Sequence, residues 1–401
     1  SGSQPNPRPV TVRSMEIERA RYLVSPGGRA AQARLPDDQP IADPNRLATV
    51  LRRSLPPDEA SALAEQLTLR ARAAKNHGDT RGFLYTADGL EMMTHPLVAA
   101  RRANRIAGYG GPAFDLTAGL GGDLFALREA RVDVVGLERD PVHALLAAAN
   151  TGVAVVRGDA TQPPFELSGT SVVIDPARRS KSSRRFDPAA FSPPWDKALA
   201  LAASARSAII KAQPGIDSSH IPAGAEIEAI QLGRSMRELS IWVGDGASSG
   251  LRRAVLLPAN ISLESSEPEA APAPRAAGPF LFDPESCVTL ATLVLHLAHR
   301  LDAWLLDPHV AYLSADQPRF SPLAATFEVL DALPFSVSRL KDRLRASKWR
   351  PDDIRRRAFP VEPDELRKLL GKLRGEPVTL LATTIGGQRT VFICRRLFAP
   401  A

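Results

Sequence analysis

Between residues 113 and 213 short apolar runs recur at helix-length intervals: Ala113–Leu116, Asp133–Leu137, Val153–Val156, Val172–Ile174 and Ala208–Ile210. Parallel strands need a crossover of a dozen or more residues, usually a helix, so this alternation predicts an α/β fold with a parallel, doubly wound sheet. Each of the first four runs ends in or runs into an acid, at Asp115, Glu138, Asp159 and Asp175. Open α/β sheets bind ligands at the carboxyl ends of their strands, which places four carboxylates along one binding edge.

The first of these strand ends, Asp115-Leu-Thr-Ala-Gly119-Leu-Gly121-Gly122-Asp123, runs directly into a helix. Its glycines permit a ligand to approach the backbone, but a dinucleotide fingerprint requires a third glycine where the chain has Leu124. Asp115 and Asp123 flank the turn with negative charge, which suits a cation better than a pyrophosphate. S-adenosylmethionine carries an ammonium and a sulfonium and no phosphate, and so fits. Glu138 can accept from both ribose hydroxyls and Asp159 from the adenine amino group. The alternative is a phosphate-binding or NAD-type sheet whose acids only cap helices.

The remainder of the chain frames this sheet. Residues 1–14, rich in Ser, Gly and Pro before Met15, read as a flexible extension or an expression remnant. An N-terminal helical domain is expected over 15–105, with helices over Arg46–Leu55 and after Pro56-Pro57-Asp58-Glu59. The sheet domain spans 106–261, where the strands Glu226–Leu232, Glu238–Val243 and Ala254–Leu257 predict an antiparallel closing edge. Residues 262–279, SLESSEPEAAPAPRAAGP, read as a linker. A C-terminal domain over 280–401, with its core at about 331–401, holds the helix-like stretch VTLATLVLHLAHR, the helix PDELRKLLGKL and a hairpin around Gly386-Gly387.

Charge is distributed unevenly between these parts. Residues 331–401 carry 16 Lys or Arg against 8 Asp or Glu, whereas the whole chain is only +7, so the basic excess lies in this segment. No apolar run of about eighteen residues is present, which predicts no membrane span, and a cytoplasmic protein is expected. Cys287 and Cys394, the two cysteines, lie far apart in sequence, so neither a disulfide framework nor a metal site is expected.

Residues 106–258 resemble the class I S-adenosylmethionine-dependent methyltransferases, on the turn and the strand-end acids above. The resemblance implies a Rossmann-like seven-stranded sheet, S-adenosylmethionine as cofactor and S-adenosylhomocysteine as product. It places Asp115, Thr117, Ala118 and the Gly119, Gly121, Gly122, Asp123 turn near the methionine end, Glu138 and Arg139 at the ribose, and Asp159 and Ala160 at the adenine. Within the class, YTADGLEMMTHPLVAARRANRI and DLTAGLGGD resemble bacterial relatives of trimethylguanosine synthase. The run RRRAFPVEPDELRKLLGKLRGEPVTLLATTIGGQRTVFICRR is similar to the THUMP-like domain, which implies an α+β fold and an RNA substrate, tRNA or rRNA.

The acceptor is read from the fourth strand end, Asp175-Pro176-Ala177-Arg178. Amino-directed methylases carry a second proline and an aromatic residue there, which this chain lacks. Asp175 and Pro176 are the candidate catalytic residues, with Asp175 as hydrogen-bond acceptor or base for transfer to a base nitrogen. The sheet domain has no cysteine for a covalent route. Five basic residues, Arg178, Arg179, Lys181, Arg184 and Arg185, follow as candidate phosphate contacts, or as a solvated loop. Ser192-Pro193-Pro194-Trp195 offers Trp195 as a substrate lid or as helix-start packing, with no strand expected before it. Lys211, at the fifth strand end, keeps transfer to a ribose oxygen open. Arg101, Arg102 and Arg105 with Tyr85 read as a solvated face or a substrate entrance, His95 and His143 as structural, and Arg355–Arg357 with Arg367, Lys368 and Lys372 as an RNA track or as charge that serves solubility alone. Two other functions remain: a methyltransferase for a metabolite or protein, and a noncatalytic protein binding S-adenosylmethionine and RNA.

Overall fold

The computed structural model describes residues 15–33, 44–78, 82–178, 187–213, 216–270 and 273–399. They fall into two compact units, one comprising residues up to Ala212 together with Trp242–Ala247, the other Gln213–Ile241 and the residues from Ser248 onward.

The first unit begins with helices α1 Ile17–Val24, α2 Pro26–Ala33, α3 Pro44–Leu51, α4 Pro57–His77, α5 Ala87–Met92 and α6 Pro96–Tyr109. Asp58 and Glu59 lie in the first turn of α4, and the helix ends at Gly78 in the left-handed region, φ 60°. Strand β1 Ala113–Asp115, helix α7 Gly122–Glu129, β2 Val134–Glu138, helix α8 Pro141–Thr151 and β3 Val155–Arg157 follow. Next come β4 Ser171–Ile174, β5 Ala177–Arg178, β6 Phe191–Ser192, helix α9 Trp195–Ser204 and β7 Ser207–Ala212. The strands lie in the order β3-β2-β1-β4-β7, all parallel, with Asp115 opposite Gly136 and Val173. Reversal of the strand order at β1 opens the crevice in which such sheets bind ligands. One core packs the N-terminal helices around Leu63, Tyr85 and Leu146, and a second packs Ile106, Leu124 and Trp242 against the sheet.

In the second unit, β8 Glu226–Leu232, β9 Ser235–Gly244, β10 Arg252–Leu257 and β11 Ile261–Ser265 lie in the order β11-β10-β8-β9, the last residues of β9 belonging to the first unit. The edge differs from the antiparallel one expected in one pairing: β10 runs parallel to β8, while β11 turns back against β10. Leu263 is buried in β11, so the strand takes up the first residues read as linker.

Beyond them come β12 Phe280–Pro284, α10 Ser286–Leu290, α11 Val294–Leu301, β13 Trp304–Asp307, β14 Val310–Ala315 and β15 Ala324–Pro334. The chain continues through α12 Val337–Ala346, β16 Trp349–Arg357, α13 Pro363–Leu370, β17 Glu376–Ile385 and β18 Gln388–Leu397. Its seven strands order β13-β14-β12-β15-β18-β17-β16. The apolar stretch expected as one helix is two, α10 and α11, separated at Thr292, whose φ of 59° no helix accommodates. The hairpin β17–β18 turns at Gly386-Gly387 as expected.

Candidate active site at the carboxyl edge of the sheet

The turn after β1 is built by backbone groups that find acceptors on side chains. Thr117 N–H donates to Asp115 Oδ1 at 3.1 Å, and Thr117 Oγ1 accepts from Asp175 N–H at 2.7 Å, which ties the ends of β1 and β4 together. Gly119 N–H donates to Glu138 Oε2 at 2.8 Å, while Glu138 Oε1 accepts from Asp140 N–H at 2.8 Å. Both oxygens of Glu138 are thus oriented by backbone and retain lone pairs for a ligand. Gly121 takes φ 88°, and a Cβ there would lie 2.6 Å from Thr151 Cγ2, so the turn requires glycine.

Behind the turn lies a charged cluster. Lys211 Nζ at the end of β7 is 2.6 Å from Asp175 Oδ2 and 3.2 Å from Asp123 Oδ2, and it donates to Thr94 Oγ1. Thr94 Oγ1 donates in turn to Asp123 Oδ2 at 2.8 Å, and Arg102 Nη1 pairs with Asp123 Oδ1. The side chain of Asp175 is 40% exposed, against 9% for Lys211 and 10% for Asp123, so Asp175 is the member a substrate can reach.

Electrostatics separate the buried acids. Burial, reinforced by the charge on Asp123, pushes Asp115 up to about 7. Burial would also raise Asp123, but the charges on Arg102 and Lys211 outweigh it and hold the carboxyl well below its usual range. With Asp115 ionised, three carboxylates face two cations. That surplus of negative charge fits the ammonium and sulfonium of S-adenosylmethionine and disfavours a pyrophosphate.

The cluster unites Asp123, Asp175 and Lys211, with Asp115 within electrostatic reach of all three. Gly158 N–H donates to Glu138 O at 3.0 Å, bringing the third strand end beside the second; Asp159 Oδ1 accepts from Thr161 N–H at 2.8 Å, and Ala160 is buried. Ala118 is buried and its N–H donates to Leu137 O, Pro176 is buried beside Asp175, and Arg139 is exposed. Asp123 is spent on Arg102, Thr94 and Lys211, a more internal position than its place in the turn suggests. Arg178 lies in β5, which pairs with β6, so a short strand does precede the Ser192–Trp195 segment. Trp195 is 2% exposed and its ring centroid is 6.1 Å from that of Phe191, the position of a helix-start packing residue. Arg179, Lys181, Arg184 and Arg185 lie outside the described residues.

Two members of the cluster escape sequence reasoning. Thr94 sits between α5 and α6 with no local signal. Arg102 reads as part of a solvated face, yet it is 3% exposed and shares the buried stripe of α6 with Val98, Ala99, Ala103 and Ile106. An arginine within an apolar stripe marks a buried ion pair. Tyr85 is likewise buried, so it lines no entrance. His143 Nε2 lies 2.9 Å from Thr86 Oγ1, and His95 Nδ1 accepts from Leu97 N–H at 3.2 Å, both structural contacts.

Residues 324–396 match the family described as THUMP domain-like, and residues 16–73 match a domain of unknown function. An S-adenosylmethionine-dependent methyltransferase of Mycobacterium tuberculosis, found in two strains, is 35% identical over 356 residues, covering 84% of this chain and 98% of the relative. A solved structure assigned as a methyltransferase, from Porphyromonas gingivalis W83, superposes with a TM-score of 0.71 at 20% identity, covering 96% of this chain and 99% of that one. The second match shows a common fold; the first, by its identity and its extent, shows that the chain belongs to the S-adenosylmethionine-dependent methyltransferases.

Proposed function

We propose that the protein transfers a methyl group to a base nitrogen of RNA, tRNA or rRNA, with Asp175 as the residue that meets the acceptor. The observation that carries this reading is the Asp175–Lys211 pair at the carboxyl edge. Bound in the crevice, S-adenosylmethionine would supply an electrophilic methyl group on a sulfonium. The chain's part is positioning: Asp115 receives positive charge, Glu138 the ribose hydroxyls and Asp159 the adenine amine. Asp175 Oδ accepts a hydrogen bond from the acceptor amine, aims its lone pair and takes its proton. Lys211 holds that carboxylate in place, and the hydrogen bond from Asp175 N–H to Thr117 fixes the backbone beneath it.

Nitrogen is favoured over a ribose oxygen because Lys211 already directs donors at Thr94, Asp123 and Asp175. An ammonium has three donors and no lone pair, so in this setting it orients rather than accepts a proton. RNA as the acceptor is supported by the THUMP-like match and by the basic excess of residues 331–401. The test is Asp175→Ala. Labelled methyl transfer should fall at least about 100-fold while S-adenosylmethionine affinity stays within about threefold; loss of both together, or of neither, would contradict the role given to Asp175.

A further inference from the structure

The basic C-terminal segment is not uniformly available to a partner. Arg355 Nη1 and Arg357 Nε donate to Asp283 at 2.8 and 2.7 Å, and Arg356 pairs with Glu362. These three arginines, the most conspicuous in the sequence, are held by carboxylates of their own unit. Arg367 donates to the carbonyls of Pro351 and Asp352.

Lys341 and Arg345 lie one turn apart on α12, and Lys348 follows just past its end. Two contacts bring the segment between α13 and β17 against them. Lys341 Nζ lies 3.7 Å from the position a Cβ would take on Gly371, and Lys348 O accepts from Glu376 N–H at 2.8 Å. Gly375, at φ 134°, makes that approach possible, since a Cβ there would lie 1.6 Å from Lys348 O. Lys372 and Arg374 therefore stand beside Lys341, Arg345 and Lys348. Lys348, Lys372 and Arg374 are exposed, and Lys341 is half-buried. Among the described residues no acid lies within ion-pair distance of Lys341, Lys348, Lys372 or Arg374, and Arg345 meets Asp342 only at 3.9 Å. Asp342, and Glu376 through its backbone, adjoin this group. Like charges held together without partners repel one another, which a polyanion relieves.

We infer that Lys341, Arg345, Lys348, Lys372 and Arg374 form a surface that takes the phosphate backbone of RNA; of the track expected from sequence, Arg355–Arg357 with Arg367, Lys368 and Lys372, it keeps only Lys372. The inference rests on the RNA reading above and assigns it a surface. Lysines outnumber arginines here, as point charges for phosphates rather than forks for bases, so the surface would bind without reading sequence.

The test is fluorescence anisotropy of a fluorescein-labelled tRNA transcript with the full chain over a KCl series. Reversal by Lys341→Glu, Lys348→Glu, Lys372→Glu and Arg374→Glu should weaken binding at least about 30-fold at low salt. Neutralising the same four positions to Gln should make the slope of log Kd against log salt shallower by about 3. Arg237→Glu with Arg300→Glu, exposed cations of the same unit, should leave both nearly unchanged, and unaltered melting temperatures exclude unfolding. Wild-type Kd and slope in the Gln variant overturn the surface, as does equal competition by polyglutamate, which would mark an acidic protein as the partner. Methyl transfer measured alongside separates the two claims. RNA methylated with unchanged KM in the variants overturns the surface alone; RNA bound through the surface but never methylated overturns the methylation reading alone.

Discussion

In the proposed reaction Asp175 meets the acceptor and Asp115 the cofactor's positive charge, and each assignment gives a distinct prediction. Replacing Lys211 by Met removes the group that holds Asp175, so methyl transfer should drop about 10- to 100-fold, chiefly in kcat, with the pH profile displaced; a fall in cofactor affinity alone would contradict the positioning role. For Asp115 the sign follows from its raised value near 7. Below about 7 the carboxyl is protonated and offers no charge to a cationic ligand, so S-adenosylmethionine should bind more tightly as pH rises from 5.5 to 7, by up to about tenfold per unit. Calorimetric titration should show that rise in the wild type and a flat profile in Asp115→Asn. Asp115, Asp175 and Lys211 are legible because strand ends in a parallel sheet face the ligand whatever the rest of the chain does. Thr94 is not, since its contact with Lys211 arises from a loop whose path depends on the packing of α5 and α6.

Among the elements, α6 and the β16–β17 crossover depend most on single residues. Arg102 anchors α6 to the turn through Asp123, and Arg102→Met would leave that buried carboxylate with Lys211 and Thr94 only. Removal of one partner of a buried pair costs about 3–5 kcal/mol, which denaturant unfolding should record. A loss below about 1 kcal/mol would show that Lys211 compensates. Gly375→Ala should be at least as disruptive, because the new Cβ meets Lys348 O and would pry apart the start of β16 and β17; a melting temperature equal to wild type would contradict this. Strand runs with buried faces are readable to within a residue or two, as Glu226–Leu232 demonstrates. Pairing direction is not: β8 and β10 pair in parallel because β9 intervenes in sequence, and alternation of apolar residues carries no sense of direction. The break between α10 and α11 is equally silent, since Thr292 in the left-handed region has no special residue to announce it.

At the scale of the molecule, a cofactor edge and a basic segment occur in one chain, the combination that the proposed methylation of RNA calls for. Charge location was legible from composition; which cations are free was not, because Asp283 and Glu362 neutralise the arginine run only after the sheet has formed. Raising KCl from 50 to 200 mM should therefore raise the KM for RNA steeply while leaving S-adenosylmethionine binding nearly constant. No helix among the described residues is long and apolar enough to cross a membrane. The central claim is tested most directly by incubating the protein with methyl-labelled S-adenosylmethionine and three fractions from cells lacking its gene: small RNA, ribosomal RNA, and a protein-plus-metabolite extract. Label confined to one RNA fraction, and located on a base nitrogen by nucleoside mass spectrometry, is the predicted result; label found only in the extract would contradict it.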